Sequence, residues 1–574
     1  MLRVRDVDAR VVQRLASALG VQPVTARCLA SRGVADLDEA RSYLSPRLAG
    51  LRRPEGLAGF AMAVERLARA VVHGERVGIW GDYDVDGVTT TALLTTFLRQ
   101  VGATVDARVA RRDTGYGFTE EAATGLADGG CSLIVTGDCG TSDAPAIASV
   151  AARGIDVIVV DHHTVPSLDR HPAYALVNPH RADSTFGFRG MASVGLAFYL
   201  VGAVRSRLKE AGHFAGRPEP DVRDLLDLVA LGTIADLVPL RGENRILTAI
   251  GLRQLNARRR PGIAALLASA GVEPGTPVDE RTVGWRLAPR INAPGRLGAA
   301  EPALALLLAD EASAEVRAAA LEEANAERRT VQDRVVDEAI ALLERDEHGR
   351  GEALVLADRG WPPGVVGIVA AKLVERTGRP VFVAGIDPGT GVGRGSARTC
   401  SGIDLYRALA AASPHLERFG GHAAAAGFTV REDRIPALRE ALCSAIAGQV
   451  ADQGRAGQVT AADHAADSEI RLDEVTEPLA SELGTLAPFG QDNRAPQLVA
   501  RDVVVRSSRR VGDGSHLKLE LEDGRGTVRR AIAFGLGDRD PGTGARIDVA
   551  FAPVVSTWQG QSRVELEVRD LLAR

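Results

Sequence analysis

The segment Ile155-Asp156-Val157-Ile158-Val159-Val160 is almost entirely β-branched, and Asp161-His162-His163 follows it without a break. A short apolar run of this kind reads as a strand buried on both faces, the pattern of a parallel sheet covered by helices. Parallel strands must all be returned to the same edge by crossovers, so one such strand constrains much of the chain around it. In open α/β folds that edge, the carboxyl ends of the strands, is where ligands bind. Asp161-His162-His163 thus puts one carboxylate and two imidazoles on a candidate binding edge. Alone, adjacent histidines at a strand end are ordinary loop residues.

The pattern recurs. Arg76-Val77-Gly78-Ile79-Trp80 predicts a strand that runs into Gly81-Asp82-Tyr83-Asp84-Val85-Asp86-Gly87, with a helix expected from Thr89 to Val101. Ser132-Leu133-Ile134-Val135-Thr136 predicts a second strand leading to Asp138, and Tyr174-Ala175-Leu176-Val177 a further one. Asp221 to Val238 reads as a long apolar helix with Asp236 at its C-terminal end. There a carboxylate meets the negative end of the helix dipole, which is unfavourable unless a cation compensates.

Three carboxylates at alternate positions, Asp82, Asp84 and Asp86, repel one another when close and call for cations. A calcium loop is the obvious rival, but it needs a bidentate Glu at loop position twelve, and counting from Asp82 gives Leu93. Together the four places supply at least five carboxylates and two imidazoles, enough for two metals sharing one carboxylate. Oxygen-rich sites with little imidazole favour Mn²⁺ or Mg²⁺ over zinc. Such a pair can activate a bridging water and stabilise both oxygens of an in-line phosphoryl displacement.

At 574 residues the chain is too long for one core, and roughly three or four domains are expected. Its 45% apolar and 25% charged residues are those of a globular protein, and no apolar stretch approaches a membrane span. Met1-Leu2-Arg3-Val4-Arg5-Asp6 is too charged for a signal peptide. Cys28, Cys131, Cys139, Cys400 and Cys443 are odd in number and widely spaced, so no disulfide framework or zinc ribbon is indicated and a reducing cytoplasm is expected. The net charge of −5 excludes a passive, uniformly basic DNA-coating protein but not arginines confined to one groove.

Residues 1–50 read as a helical extension and 51–305 as a parallel-sheet catalytic domain. A long connecting helix is expected within 306–350, where Ala, Glu and Arg dominate. A second α/β domain covers 351–450, with strands at Ala353 to Leu356 and Val381 to Ala384. An Ala-, Gly- and Asp-rich linker covers 451–467. Five alternating segments within 468–574 (Gln497 to Arg506, His516 to Leu521, Ala531 to Phe534, Arg546 to Pro553 and Ser562 to Val568) predict a small β-barrel.

The four acidic motifs, in this order, resemble those of the DHH phosphoesterase superfamily, and within it those of the RecJ family of bacterial single-strand-specific 5′→3′ DNA exonucleases. RecJ-like features are Arg111 with Gly115-Tyr116-Gly117, Asn178-Pro179, and Pro289-Arg290-Ile291-Asn292-Ala293-Pro294-Gly295-Arg296. The second domain resembles the DHH-associated domain through Gly364-Val365-Val366-Gly367-Ile368-Val369-Ala370, Gly395-Ser396-Ala397-Arg398 and Phe419-Gly420-Gly421-His422. Residues from Leu486-Ala487-Pro488-Phe489-Gly490 onward resemble the OB fold of the family. The chain ends with that barrel, so the further C-terminal domain of some relatives is expected to be absent.

The resemblance implies one metal held by Asp86, Asp138, His162 and Asp236, and another held by Asp82, Asp84 and the shared Asp138. His163 is expected to face the scissile phosphate, with Asp161 as its support. Arg111, Tyr116, Arg290, Asn292, Arg296, Ser396, Arg398, Gly421 and His422 are the implied substrate contacts, Arg forks being suited to phosphate. Gly395 reads as a turn residue. Trp558, Phe534 and Phe551 are candidates for stacking on bases, although the two Phe fit a barrel core better. Two departures from the family pattern stand out. Pro362 occupies a position where relatives carry His, and Gly490-Gln491-Asp492-Asn493-Arg494-Ala495-Pro496 replaces the usual Gly-x-Gly-Asn-Pro-x-Pro.

The implied substrate is single-stranded DNA with a 5′ end, met in repair and recombination beside a helicase and a single-strand-binding protein. The rivals are an oligonucleotide or cyclic-dinucleotide phosphodiesterase, an inorganic pyrophosphatase and a non-catalytic DNA-binding scaffold. The first shares both α/β domains but typically lacks the terminal OB fold and the long N-terminal extension, and the second is shorter and usually carries a His in the first motif. The third is expected to have lost metal ligands, and none is missing here.

Overall fold

Five strands, β1 (Arg76–Gly81), β2 (Thr104–Val109), β3 (Leu133–Gly137), β4 (Asp156–Val160) and β5 (Ala175–Val177), form a wholly parallel sheet in the order β2-β1-β3-β4-β5. The computed structural model describes all residues except 1, 113–114, 116, 167–170, 346–350, 401, 457–464 and 559–560, and the side chains of 345, 453–456, 557–558 and 561 also lie outside the described set. Strand order reverses between β1 and β3, which makes their carboxyl ends the switch point where ligands bind. The ladder runs one residue past each strand. Asp82 N donates to Gly137 O (3.1 Å), Asp138 N to Val160 O (3.0 Å) and Asp161 N to Val177 O (3.1 Å). Asp82, Asp138 and Asp161 therefore stand in a row.

β2 has no counterpart among the sequence-predicted strands. It is an edge strand whose Asp106 and Arg108 pair at 2.8 Å, so it lacks the unbroken apolar run that marks its buried neighbours. The helix expected from Thr89 starts earlier, at Val85–Gln100, because Asp84 caps it by accepting the Gly87 amide (3.1 Å). Asp86 thus lies in the first helical turn. The apolar helix expected at Asp221 to Val238 is a 3₁₀ turn, Val222–Leu225, followed by Leu226–Ala235. It packs with Val85–Gln100 and Ser193–Glu210 over the sheet. Gly232 permits that packing, since a Cβ there would lie 2.3 Å from Thr89 Oγ1.

Helices Glu301–Leu307 and Glu311–Arg345 lead to a second sheet of β6 (Leu354–Asp358), β7 (Val381–Ile386), β8 (Val392–Arg398), β9 (Arg418–Gly421) and β10 (Ala425–Arg431). Its order is β6-β7-β8-β10-β9, with only β6 and β7 parallel. Gly395 is not a turn residue. It lies within β8, and a Cβ there would lie 2.2 Å from the Phe428 ring. Helix Ile435–Ala456 continues into the stretch expected to be a linker.

Residues 52–238 with 251–460 form one unit, and 1–51 with 239–250 and 461–574 form another. In the second unit, after the two-residue β11 (Ser468–Glu469), strands β12 (Leu498–Val511), β13 (His516–Glu522), β14 (Val528–Ala533), β15 (Arg546–Trp558) and β16 (Gln561–Ala573) close into a five-stranded barrel in the order β12-β13-β14-β16-β15, β15 pairing back to β12. Its core is continuous with that of helices Ala9–Leu19, Pro23–Ser31 and Leu37–Leu44 through Leu15, Leu29, Leu483, Leu517 and Phe551. Phe551 is buried in the barrel, but Phe534 is exposed and packs edge-on to His516, so it is not a core residue. The altered turn before the barrel is organised by buried Asn493. It accepts from Tyr43 Oη (2.5 Å) and Arg32 Nε (3.1 Å) and donates to Leu486 O and Pro488 O.

Candidate metal centre

Seven of the nominated side chains gather at this edge. Ligand atoms of Asp82, Asp84 and Asp138 lie within 4.8 Å of one another, as do those of Asp86, His162 and Asp236, and those of Asp138, His162 and His163. Asp138 thus reaches both the acidic motif of β1 and the histidines of β4. It does so from a left-handed backbone (φ 63°), which Asp adopts more readily than most residues. Its carboxylate also accepts the Ser193 hydroxyl (3.1 Å).

Asp86 accepts the amides of Ser193 (2.7 Å) and Val194 (3.0 Å), the first residues of helix Ser193–Glu210. Those amides favour its anion. Burial, followed by the charge of Asp84, outweighs them and pushes the Asp86 carboxyl up to about 7. Asp236 is driven to about 9, chiefly by burial and then by Asp86 and Asp84. Asp82 and Asp138 are raised well above the carboxylate range by burial and the neighbouring carboxylates. His162 is lowered to about 4 by burial and then by the charge of His163, so its ring is neutral at pH 7. A neutral imidazole is the ligating form.

Asp161 is used differently. Its Oδ1 accepts the amides of His162 (2.7 Å) and His163 (3.1 Å) and pairs with His163 Nδ1 (2.7 Å), while Oδ2 accepts the Thr141 amide (3.1 Å). Burial opposes ionisation of Asp161, but His163 and these hydrogen bonds hold its carboxyl well below its ordinary value. For His163, burial works against the charged ring and the Asp161 hydrogen bond and charge override it, raising the ring to about 9. Buried Asn178 braces the same turn, donating to Thr141 Oγ1 (3.0 Å) and His163 O (2.9 Å). Ser193 and Thr141 carried no sequence signal, because neither belongs to a strand-end motif.

Three buried atoms, Asp82 Oδ1, His162 Nε2 and Asp236 Oδ2, have no hydrogen-bond partner among the described residues. Buried polar atoms are normally satisfied, and these three fall within those groups, so the donor set fits divalent cations with oxygen-rich preference.

A cleft of about 1250 Å³ lies over this edge. Asp161 and His163 line one side, and Ser396, Gly421 and His422 line the other. Arg296 is half-buried and donates to Gly364 O (3.1 Å). Burial first, then the charges of Arg112, Arg328 and Arg398, lowers its guanidinium to about 10, so four cations crowd together there. Arg112 also lies over the Tyr83 ring, 4.1 Å from its centroid, a contact the sequence did not indicate. Arg290, nominated for phosphate, is paired with Glu322 and donates to Arg286 O. Arg111 is half-exposed, 3.9 Å from Glu301. Asn292 is half-buried in helix Ala288–Leu297. Tyr116 and the Trp558 side chain lie outside the described residues.

Three family models match in chain order: the DHH family N-terminal domain over residues 76–233, the DHHA1 domain over 350–448 and the RecJ OB domain over 466–570. The chain is 36% identical over 561 residues to the single-stranded-DNA-specific exonuclease RecJ of Dickeya dadantii (strain 3937), covering 95% of both chains. The chain belongs to the RecJ family. RecJ from Thermus thermophilus in complex with Mn²⁺ superimposes with a TM-score of 0.82 at 30% identity, over 100% of this chain and 78% of that one. The Mg²⁺ complex of the same RecJ gives 0.76 at 30% identity, over 99% and 77%. The parallel-sheet domain, the second α/β domain and the closed barrel described above are thus the DHH, DHHA1 and OB domains of a RecJ-family chain.

Proposed function

We propose that this protein is a single-stranded-DNA-specific 5′→3′ exonuclease that hydrolyses phosphodiester bonds with two divalent cations, Mn²⁺ or Mg²⁺, and releases 5′-mononucleotides in DNA repair and recombination. The observation that carries the reading is the convergence of three buried atoms without hydrogen bonds, Asp82 Oδ1, His162 Nε2 and Asp236 Oδ2, in two candidate ligand groups at the floor of a RecJ-family cleft. We assign one ion to Asp86, Asp138, His162 and Asp236 and the other to Asp82, Asp84 and Asp138. Two such ions, when bound, supply Lewis-acid stabilisation of the phosphoryl oxygens and lower the pKa of an attacking water.

The remaining roles belong to side chains of the chain itself. Asp161 fixes the His163 ring through Nδ1, and we assign that ring to the scissile phosphate. Ser193 and the helix it begins hold Asp138 and Asp86 in place. Ser396, Arg398, Arg296, Gly421 and His422 are assigned to the strand's phosphates and sugar. Backbone contacts of this kind carry no sequence information, in keeping with a nuclease indifferent to base order.

On this reading 51–305 is the catalytic part, 351–450 its partner, and 468–574 the barrel that holds incoming strand, with exposed Phe534 available for stacking. An enzyme restricted to single strands needs duplex opened ahead of it, so a helicase and a single-strand-binding protein are its natural company. No helix of the described chain is long and apolar enough to cross a membrane, and five unpaired cysteines fit a reducing cytoplasm. The test is Mn²⁺-dependent digestion of end-labelled single strands, duplex and a dinucleotide. Stepwise mononucleotide release from the 5′ end of single strands alone is expected, and cleavage confined to the dinucleotide would overturn the reading.

A further inference from the structure

β8, β10 and β9 lie side by side and antiparallel, and their register builds a cationic row on the cleft wall. Thr429 of β10 sits opposite Arg394 on β8 and opposite Arg418 on β9, and in the next same-face row Gly427 sits opposite Ser396 and Gly420. Residues opposite one another share a face, and side chains two apart on a strand emerge on the same side. Arg398, Ser396 and Arg394 therefore project together, while Gly395 and Ala397 face the core. Two strand spacings put the backbones of Arg394 and Arg418 roughly 10 Å apart, with Thr429 between them.

All three line the cleft, both arginines are exposed, and among the described residues neither side chain makes a hydrogen bond or a close ion pair, although the charge of Arg418 acts on Asp143 and that of Arg394 on Asp387. The carboxylates facing the same space are committed elsewhere. Asp143 accepts the amides of Phe118 (2.8 Å) and Gly140 (3.0 Å), and Asp404 caps helix Leu405–Ala411 by accepting the Arg407 amide (3.0 Å). Two exposed guanidiniums held in no close ion pair, flanking a hydroxyl, match a phosphodiester in charge and donor geometry.

The row also has a direction. A Cβ at Gly367 would lie 3.2 Å from Ser396 Oγ and 3.3 Å from Arg398 Nη2. One at Gly364 would strike Arg296 O, and one at Gly295 would lie 2.9 Å from Tyr83 O. The Arg398 end of β8 is thus the end that leads to the acidic motif. Arg394 lies a two-residue step, roughly 7 Å, beyond Ser396. A step of that length is comparable with the phosphate-to-phosphate step of an extended strand.

We propose that Arg394, Thr429 and Arg418 form a second phosphate-binding row that holds the phosphodiester next in line from the one held at Ser396 and Arg398. The proposal rests on the exonuclease reading and adds to it the number of nucleotides the cleft grips. Its ligand is the backbone of single-stranded nucleic acid, without base preference.

The experiment compares the full-length protein with its R394Q/R418Q and R394K/R418K variants. Equilibrium binding of a fluorescent, 5′-phosphorylated single strand is followed without divalent metal across a salt series, and Mn²⁺-dependent hydrolysis of a dinucleotide is followed in parallel. The Gln pair is expected to flatten the slope of log affinity against log salt by about 0.7 per lost contact, about 1.4 in all, and to leave dinucleotide hydrolysis within about two-fold of the unaltered protein. The Lys pair should keep the slope. An unchanged slope in the Gln pair, or dinucleotide hydrolysis falling together with binding, would overturn the row. Failure of the unaltered protein to cut single strands would sink the exonuclease reading itself, so the two failures are read from different samples.

Discussion

Asp138 concentrates the conflict on which the site is built. It is fully buried among carboxylates, its pKa is well above the ordinary range, and its backbone is left-handed at φ 63°. Asn tolerates that backbone and removes the charge, so Asp138→Asn separates folding from chemistry. The variant is expected to melt, metal-free, no lower than the unaltered protein, to lose the rise in melting temperature that Mn²⁺ causes, and to hydrolyse single strands on the order of 10²–10³-fold more slowly. Thermal melts with and without Mn²⁺, run beside a nuclease assay, check all three, and retained Mn²⁺-dependent hydrolysis would remove Asp138 from the ligand set. Asp161 shows why identity alone did not assign roles. Within one tripeptide it spends its oxygens on amides and on His163 Nδ1, while His162 turns Nε2, which makes no hydrogen bond, toward Asp138 (3.3 Å) and Asp236 (3.4 Å). The sequence shows three polar residues at a strand end, and only the turn geometry divides the labour among them.

Among the elements, the tight approach of helices Val85–Gln100 and Leu226–Ala235 fixes where Asp86 points. A methyl group on Gly232 would lie 2.3 Å from Thr89 Oγ1, 2.9 Å from Val194 Cγ1 and 3.1 Å from Asp86 Oδ1. Gly232→Ala should therefore cost about 1–3 kcal/mol of stability, as overpacking does, and weaken Mn²⁺ binding by displacing Asp86. Denaturant melts and a Mn²⁺ titration measure the two effects, and a variant matching the unaltered protein in both would show that the helices can yield. The buried strands β1, β3 and β4 were legible because burial on both faces leaves an unbroken apolar run. β2 was not, because an edge strand alternates and can carry an Asp106–Arg108 pair. Helix starts were misplaced for a related reason. The cap that sets the start of Val85–Gln100 is Asp84, a residue whose acidity drew attention to metals instead.

For the whole molecule the charged floor of the cleft couples stability to pH and to metal. Asp236, at about 9, keeps its proton at pH 7 in the folded state, whereas an unfolded Asp has lost it, so the folded state binds more protons and its stability falls as pH rises from 7 to 9. His163, also raised to about 9, acts in the same direction over that window, since its favourable charged contacts are lost as it deprotonates. His162, lowered to about 4, is already neutral in the folded state, and the last part of its unfolded titration near 6.5 offsets only a small part of this fall just above pH 7. The metal-free protein should thus melt at progressively lower temperature from pH 7 to 9. Mn²⁺, which displaces those protons, should raise the melting temperature more at pH 9 than at pH 7. Differential scanning fluorimetry with a chelator or with Mn²⁺ measures both, and a metal shift that shrinks with pH would contradict the raised carboxylates. Local sequence was enough for the domain types, the strand-end acids and the superfamily motifs, because these follow from periodicity and from residue types whose spacing has a chemical reason. Tertiary packing decided which acids lie within 4.8 Å of one another, which histidine is held by Asp161, that Arg290 is tied to Glu322, and that Arg394 and Arg418 flank Thr429. Those facts depend on strand order, register and helix packing between segments far apart in the chain, and no local pattern encodes a distance between them.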